Sequence, residues 1–170
     1  MSKIYVGFDE SNNGRKFEIH TAVFSDNPLD ISESPSLIPK LRRHKNLFNR
    51  LRNRTYAFLL FTDSDRDRIP FVERSGVTAA SLMVEEYDWS DFEGITLFLD
   101  GAKSTKEIDT LADIVLDTIP IPATGLEISF GPKYDQRIRL VNMADQLAHY
   151  LFKKGIDVIS EHEDRKPLLY

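Results

Sequence analysis

Three aspartates of this chain occupy positions where a carboxylate is unfavourable unless it has a task. Asp9 closes the apolar, β-branched run 3–9, Asp100 closes the apolar run 94–100, and Asp145 interrupts the stretch 140–151 between Ala144 and Leu147. Each follows residues that a sheet or helix would bury, so each side chain belongs at the edge of a core rather than far out in solvent. Isolated carboxylates are costly to bury, and a divalent cation is the usual compensation. An all-oxygen donor set suits Mg2+ or Mn2+ rather than zinc or copper. Asp9-Glu10 and Asp100-Gly101 are also good turn formers. Asp145, inside a helical pattern, has a solvated helix face as its alternative.

The elements that must bring these acids together follow from periodicity. Residues 3–9 and 16–24 read as the strands of a hairpin around the turn-rich Glu10-Ser11-Asn12-Asn13-Gly14. Residues 25–39, rich in Ser, Pro and Asp, read as a loop. Leu41, His44, Phe48 and Leu51 recur at helical spacing and predict a short amphipathic helix. Residues 55–62 predict a third strand, 63–68 a solvated turn, 70–87 a helix with Trp89 packed beside it, and 94–100 a buried fourth strand. Ser104 caps a helix over 105–119 that Pro120 and Pro122 stop. A fifth strand over 126–130 and a helix over 138–153, ended by Gly155, complete the order. Three antiparallel strands followed by strand–helix alternation predict an α/β fold, a five-stranded mixed sheet with helices on both faces. Ligands of such sheets gather at the carboxyl ends of strands, where Asp9 and Asp100 stand.

Composition narrows the function classes. The 170 residues contain no cysteine, which excludes a disulfide framework, a thiolate zinc site and a cysteine nucleophile. The first residues reach carboxylates after a short apolar run, unlike a secretory signal, and no stretch approaches the roughly 20 apolar residues of a membrane span. The expectation is a cytoplasmic protein with no membrane partner. Net charge is −5, yet the strip 40–54 holds seven of the 22 Lys and Arg residues and no acid. A basic strip on an acidic protein is a footprint for a polyanion.

Phe8-Asp9-Glu10-Ser11-Asn12-Asn13-Gly14 resembles the Asp-Glu-(small)-Gly opening of type 2 ribonucleases H and the Asp-Glu-Ser-Gly start of a little-characterised group of ribonuclease-H-like proteins. Asn142-Met143-Ala144-Asp145-Gln146-Leu147-Ala148 is similar to the Gln-Leu-Ala-Asp helix that closes that second group. The resemblance runs from about Ile4 to Leu151 and implies one ribonuclease-H-like domain over 1–155. The basic insert 36–54 lies outside the match, as does a polar C-terminal tail over 156–170. It implies metal ligation by Asp9, Asp100 and Asp145, with Glu10 as a fourth ligand. Glu73 is the alternative, by likeness to type 1 enzymes. Alternation sends Asp9 and Glu10 to opposite strand faces, so both converge only if the strand ends between them.

The implied activity is a metal-dependent nuclease that hydrolyses DNA or RNA by a two-metal mechanism, with ions about 3.5–4 Å apart clamping the scissile phosphate. A single-strand exonuclease is one form it would take. His149, one helical turn beyond Asp145, is a candidate proton shuttle or phosphate contact, against the blander reading of a satisfied helix histidine. Lys40, Arg42, Arg43, Lys45, Arg50, Arg52 and Arg54 are the candidate nucleic-acid contacts. Phe48 and Tyr134 are candidates for stacking on unpaired bases, against a role in the core. Two other classes compete: a catalytically silent nucleic-acid-binding module, and an interaction protein whose strip meets an acidic partner. Oligomeric state is not legible.

Overall fold

The structure is a computed structural model and describes residues 2–11, 17–33, 44–52, 54–62 and 92–154. Its centre is a sheet of order β3-β2-β1-β4-β5, built from β1 (Ser2–Ser11), β2 (Phe17–Ser25), β3 (Thr55–Thr62), β4 (Phe92–Asp100) and β5 (Leu126–Gly131). β1 pairs antiparallel with β2, and β2 with β3. β4 lies parallel to β1 on its other side, and β5 parallel to β4. The sheet is mixed, as alternation and element order predict.

Period-two alternation divides the core into two layers. Ile4, Val6 and Phe8 of β1 join Ala22, Phe24, Ile95, Leu97 and Leu99 under α2 (Thr105–Thr118), which contributes Leu111 and Val115. On the reverse face Ile19, Val23 and Phe58 meet Leu140, Met143, Ala144, Leu147 and Leu151 of α4 (Arg139–Lys154). Helices therefore cover both faces. α1 (His44–Leu51) packs Leu47 and Leu51 into the α4 layer.

α2 begins as expected. Ser104 Oγ accepts from Glu107 N at 3.3 Å while Glu107 Oε2 accepts from Ser104 N at 2.7 Å, a reciprocal cap that satisfies two helix-start amides. Three departures matter. β1 runs on through Ser11 instead of ending at Asp9. Among the described residues, the loop after β2 contains a 3-10 turn, Pro28–Asp30, capped by Asn27. A separate short helix, α3 (Tyr134–Arg137), precedes α4, because Lys133 takes a left-handed conformation (φ 62°) and Ile138 is extended.

The turn expected over 63–68, the helix over 70–87, Glu73, Trp89 and the tail 156–170 lie outside the described residues. Among the described residues no helix is long and apolar enough to cross a membrane.

Candidate functional site

Gly7 decides where α4 sits. A Cβ at this position would press on the Leu140 carbonyl carbon and come within 2.5 Å of Val141 N, so the helix backbone lies directly on the strand. Two residues along β1 advance about 6.7 Å, and four along α4 about 6 Å. Helix and strand therefore stay in step from Gly7 against Leu140 to Asp9 against Ala144 and Asp145. Thr21, opposite Asp9 on β2, ties this second level together. Its Oγ1 donates to Ala144 O at 2.8 Å and stands 3.2 Å from Asp9 O, fully buried.

The outcome is a carboxyl pair. Asp145, 3% exposed, meets the half-buried Asp9, and the two share a hydrogen bond. Burial pushes the Asp9 carboxyl well above its usual range, and the charges of Glu10 and Asp145 and that hydrogen bond push the same way. The Glu10 amide, donating to Asp9 Oδ1 at 2.9 Å, opposes them.

Asp100 stands beside them. The parallel register Phe8↔Leu99 sets it next to Asp9 at neighbouring strand ends. Its Oδ1 is committed, accepting from Tyr134 N at 2.6 Å and Asp135 N at 3.4 Å at the start of α3. Glu10 goes the other way. Because β1 continues past it, the pleat turns Glu10 from the α4 face toward His20, its partner across β2. Burial raises its carboxyl, and the positive charges of His20 and Lys103 oppose that rise. The strand does not end between the two acids, so the condition for their convergence is not met. Among the described residues no three acidic or histidine side chains form one cluster able to hold an ion. The structure thus brings Asp9 and Asp145 together, leaves Asp100 adjacent, and sends Glu10 to the α2 face.

His149 is half-buried on α4, one turn beyond Asp145. Glu18 and His20 form a buried hydrogen-bonded pair on the α2 face, the His20 ring tilted against Phe8 and edge-on to Phe61. Sequence reasoning missed this pair because Phe17, Ile19, Thr21 and Val23 looked like the buried face of β2, whereas both faces are covered. It missed Gly7 too, although a glycine amid β-branched and aromatic residues signals close backbone approach.

The basic strip is only partly a surface. Arg50 donates to Asn142 Oδ1 at 3.2 Å from both terminal nitrogens and to Gln146 Oε1 at 3.3 Å. Arg54 makes a two-pronged pair with buried Asp30, at 2.7 and 2.6 Å. Burial works to raise the Asp30 carboxyl, but Arg54 and the Ser25 hydroxyl outweigh it and hold it below the usual value. These two arginines, read from charge as nucleic-acid contacts, are engaged inside the fold, Arg50 with α4 and Arg54 with Asp30. A short helix seated on α4 cannot turn every basic side chain outward. Arg52 is exposed, whereas Lys40, Arg42, Arg43 and the Lys45 side chain lie outside the described residues. Phe48 is 43% exposed and stands edge-on to Tyr150. Tyr134 is half-buried, packed against Phe98 with its hydroxyl 3.2 Å from Ser129 Oγ.

Thr21→Val keeps the shape of the side chain and deletes the hydroxyl that joins Asp9 to α4. Mn2+ affinity measured by calorimetry should fall about tenfold, as for other groups that hold a ligand in place. Thr21→Ser should restore it. Equal affinity in all three proteins would show the hydroxyl to be irrelevant.

No sequence profile of a known family matches the chain, and no curated protein matches it significantly in sequence. Solved structures do match in shape. The chain is similar to the RNase HII of Archaeoglobus fulgidus, solved in complex with PCNA, with TM-score 0.60 and 17% identity over 95% of this chain and 78% of that one. It is similar to ribonuclease H2 from Pyrococcus horikoshii OT3, with TM-score 0.62 and 14% identity over 93% and 76%. Bst-RNase HIII, solved in complex with Mn2+, gives TM-score 0.56 and 17% identity over 95% of this chain and 55% of that longer one.

Proposed function

From the ribonuclease-H-like fold of this chain, we propose a divalent-metal-dependent nuclease that hydrolyses phosphodiester bonds of DNA or RNA. The observation that carries the reading is the Asp9–Asp145 carboxyl pair at the carboxyl edge of the sheet, two acids sharing a hydrogen bond where a cation would serve both. The donors fit such an ion: they are all oxygens, partly buried and short of positive charge. Asp9 and Asp145 would hold it, with Asp100, adjacent but not clustered with them in this conformation, recruited as the third ligand, and the likeness to an Mn2+-bound RNase HIII supports Mg2+ or Mn2+.

When bound, the cation supplies Lewis-acid chemistry, acidifying water and stabilising charge on phosphate oxygens. The chain's own groups do the rest. Asp9 and Asp145 would present their carboxylates to the cation from β1 and α4. Thr21 and Gly7 hold the distance between them. His149 lies within one helical turn of Asp145 for proton transfer, and Arg52 is an exposed cation of the basic strip open to a phosphate backbone.

The test is direct. Labelled single-stranded DNA, duplex DNA, RNA and RNA–DNA hybrid are incubated with Mg2+ or Mn2+, or with chelator. Cleavage with metal, lost with chelator, is the expected result; no cleavage of any substrate at high protein concentration refutes the proposal. A second reading, a silent nucleic-acid-binding module, is favoured by the commitment of Asp100 Oδ1 to α3. It predicts salt-sensitive binding without cleavage.

The raised Asp9 carboxyl also predicts a pH dependence. The folded state binds this proton more tightly than the unfolded state. The stability from this group is therefore complete below the ordinary carboxylate pKa and is lost as pH rises through the folded value. A cation competes with that proton, so the gain in thermal midpoint from Mn2+ should be larger at pH 8 than at pH 5. An equal gain at both values would contradict a site built on this pair.

A further inference from the structure

A single turn of helix such as α3 has too few internal hydrogen bonds to hold its own place. It is held from two sides. Its first amides, Tyr134 N and Asp135 N, donate to Asp100 Oδ1. From the other side Asn142 Nδ2 donates to Asp135 O at 2.7 Å. The other end of the same buried amide is also engaged. Asn142 Oδ1 accepts from Arg50 at 3.2 Å and from Gln146 Nε2 at 2.9 Å. These bonds run without a break from α1, through α4 and α3, to the last residue of β4.

We infer that Asn142 is a positioning residue for Asp100: anchored by Arg50 and Gln146, it pins α3, and α3 sets the rotation of the Asp100 carboxylate. One Asp100 oxygen is thereby committed to the helix start and the other is left for a ligand. Arg50, counted among phosphate contacts on charge alone, acts in this arrangement as the outer anchor of the Asn142 amide. The inference rests on the proposal that Asp100 serves the metal site, and it assigns the residues that orient it.

The test uses the full chain and Mn2+ alone as ligand, comparing wild type, Asn142→Leu, Asp100→Asn and the double variant. Asn142→Leu should speed amide exchange at Tyr134 and Asp135 and weaken Mn2+ binding about tenfold. Because its effect passes through Asp100, the double variant should bind no more weakly than Asp100→Asn alone. Losses that simply add, or unchanged exchange at both amides, overturn the inference. If Asn142→Leu does not fold, Asn142→Asp replaces it, keeping the acceptor for Arg50 and losing the donor to Asp135 O. Should wild type bind no Mn2+ and cleave nothing, the proposed function fails. The exchange rates then decide by themselves whether Asn142 pins α3.

Discussion

Asp145→Asn is expected to reduce metal-dependent cleavage at least about a thousandfold while making the metal-free protein more stable. The first effect follows from what a ligated cation contributes to phosphodiester hydrolysis, several kcal/mol of charge stabilisation, at about 1.4 kcal/mol per tenfold in rate. Asn keeps the volume and hydrogen bonding of the side chain but cannot supply the second negative charge. The second effect follows from the metal-free state. Asp9 is raised by burial and by the Glu10 and Asp145 charges, so the pair is a strained element of that state. Removing one charge relieves it by roughly 1 kcal/mol, a rise of about 2–4 °C in thermal midpoint for a chain of this size. Rates with Mn2+ and melting curves with chelator measure the two quantities on the same protein. Lost cleavage with an unchanged or lowered metal-free midpoint would mean that the pair is not under electrostatic strain. Retained cleavage would remove Asp145 from the site altogether.

Gly7→Ala is expected to destabilise the chain by about 3 kcal/mol, the upper part of the range for overpacking, because the new methyl meets helix backbone rather than a side chain that can rotate away. For a protein of this size that lowers the thermal midpoint by roughly 6–12 °C. The change should also reach the chemistry. If α4 moves off β1 to admit the methyl, Asp145 moves off Asp9. Gly94→Ala is the informative comparison, since its Cβ would press on the Gly125 backbone near the start of β4, remote from the acids. Both variants should lose stability, measured by urea unfolding. At a temperature where both remain folded, only Gly7→Ala should lose Mn2+ affinity. Equal losses of affinity would show that Gly7 contributes stability without positioning.

Much of this architecture is local, and local features are legible in a sequence. The alternating strands, the Ser104 cap and the amphipathic α2 and α4 each depend on neighbouring residues alone. So does the position of Asp100 at the end of its strand. The strand order among β1, β2 and β4 is less local, but an antiparallel hairpin followed by strand–helix alternation leaves few ways to build the sheet.

The site depended on more. Which acids meet was decided by how closely α4 approaches β1, a distance set by the absent side chain of Gly7 and by the Thr21 hydroxyl. Glu10, adjacent to Asp9 in the chain, was carried away because β1 stayed extended through Ser11. Arg50 and Arg54 look like their neighbours in a basic run, and only the presence of Asn142, Gln146 and Asp30 across the packing surface turned them inward. The sequence by itself determined the elements, the Ser104 cap and the place of each acid along its element, because these follow from periodicity and backbone preference. Tertiary structure alone decided which charges face one another. That depends on the approach and rotation of elements far apart in the chain, and no local pattern encodes it.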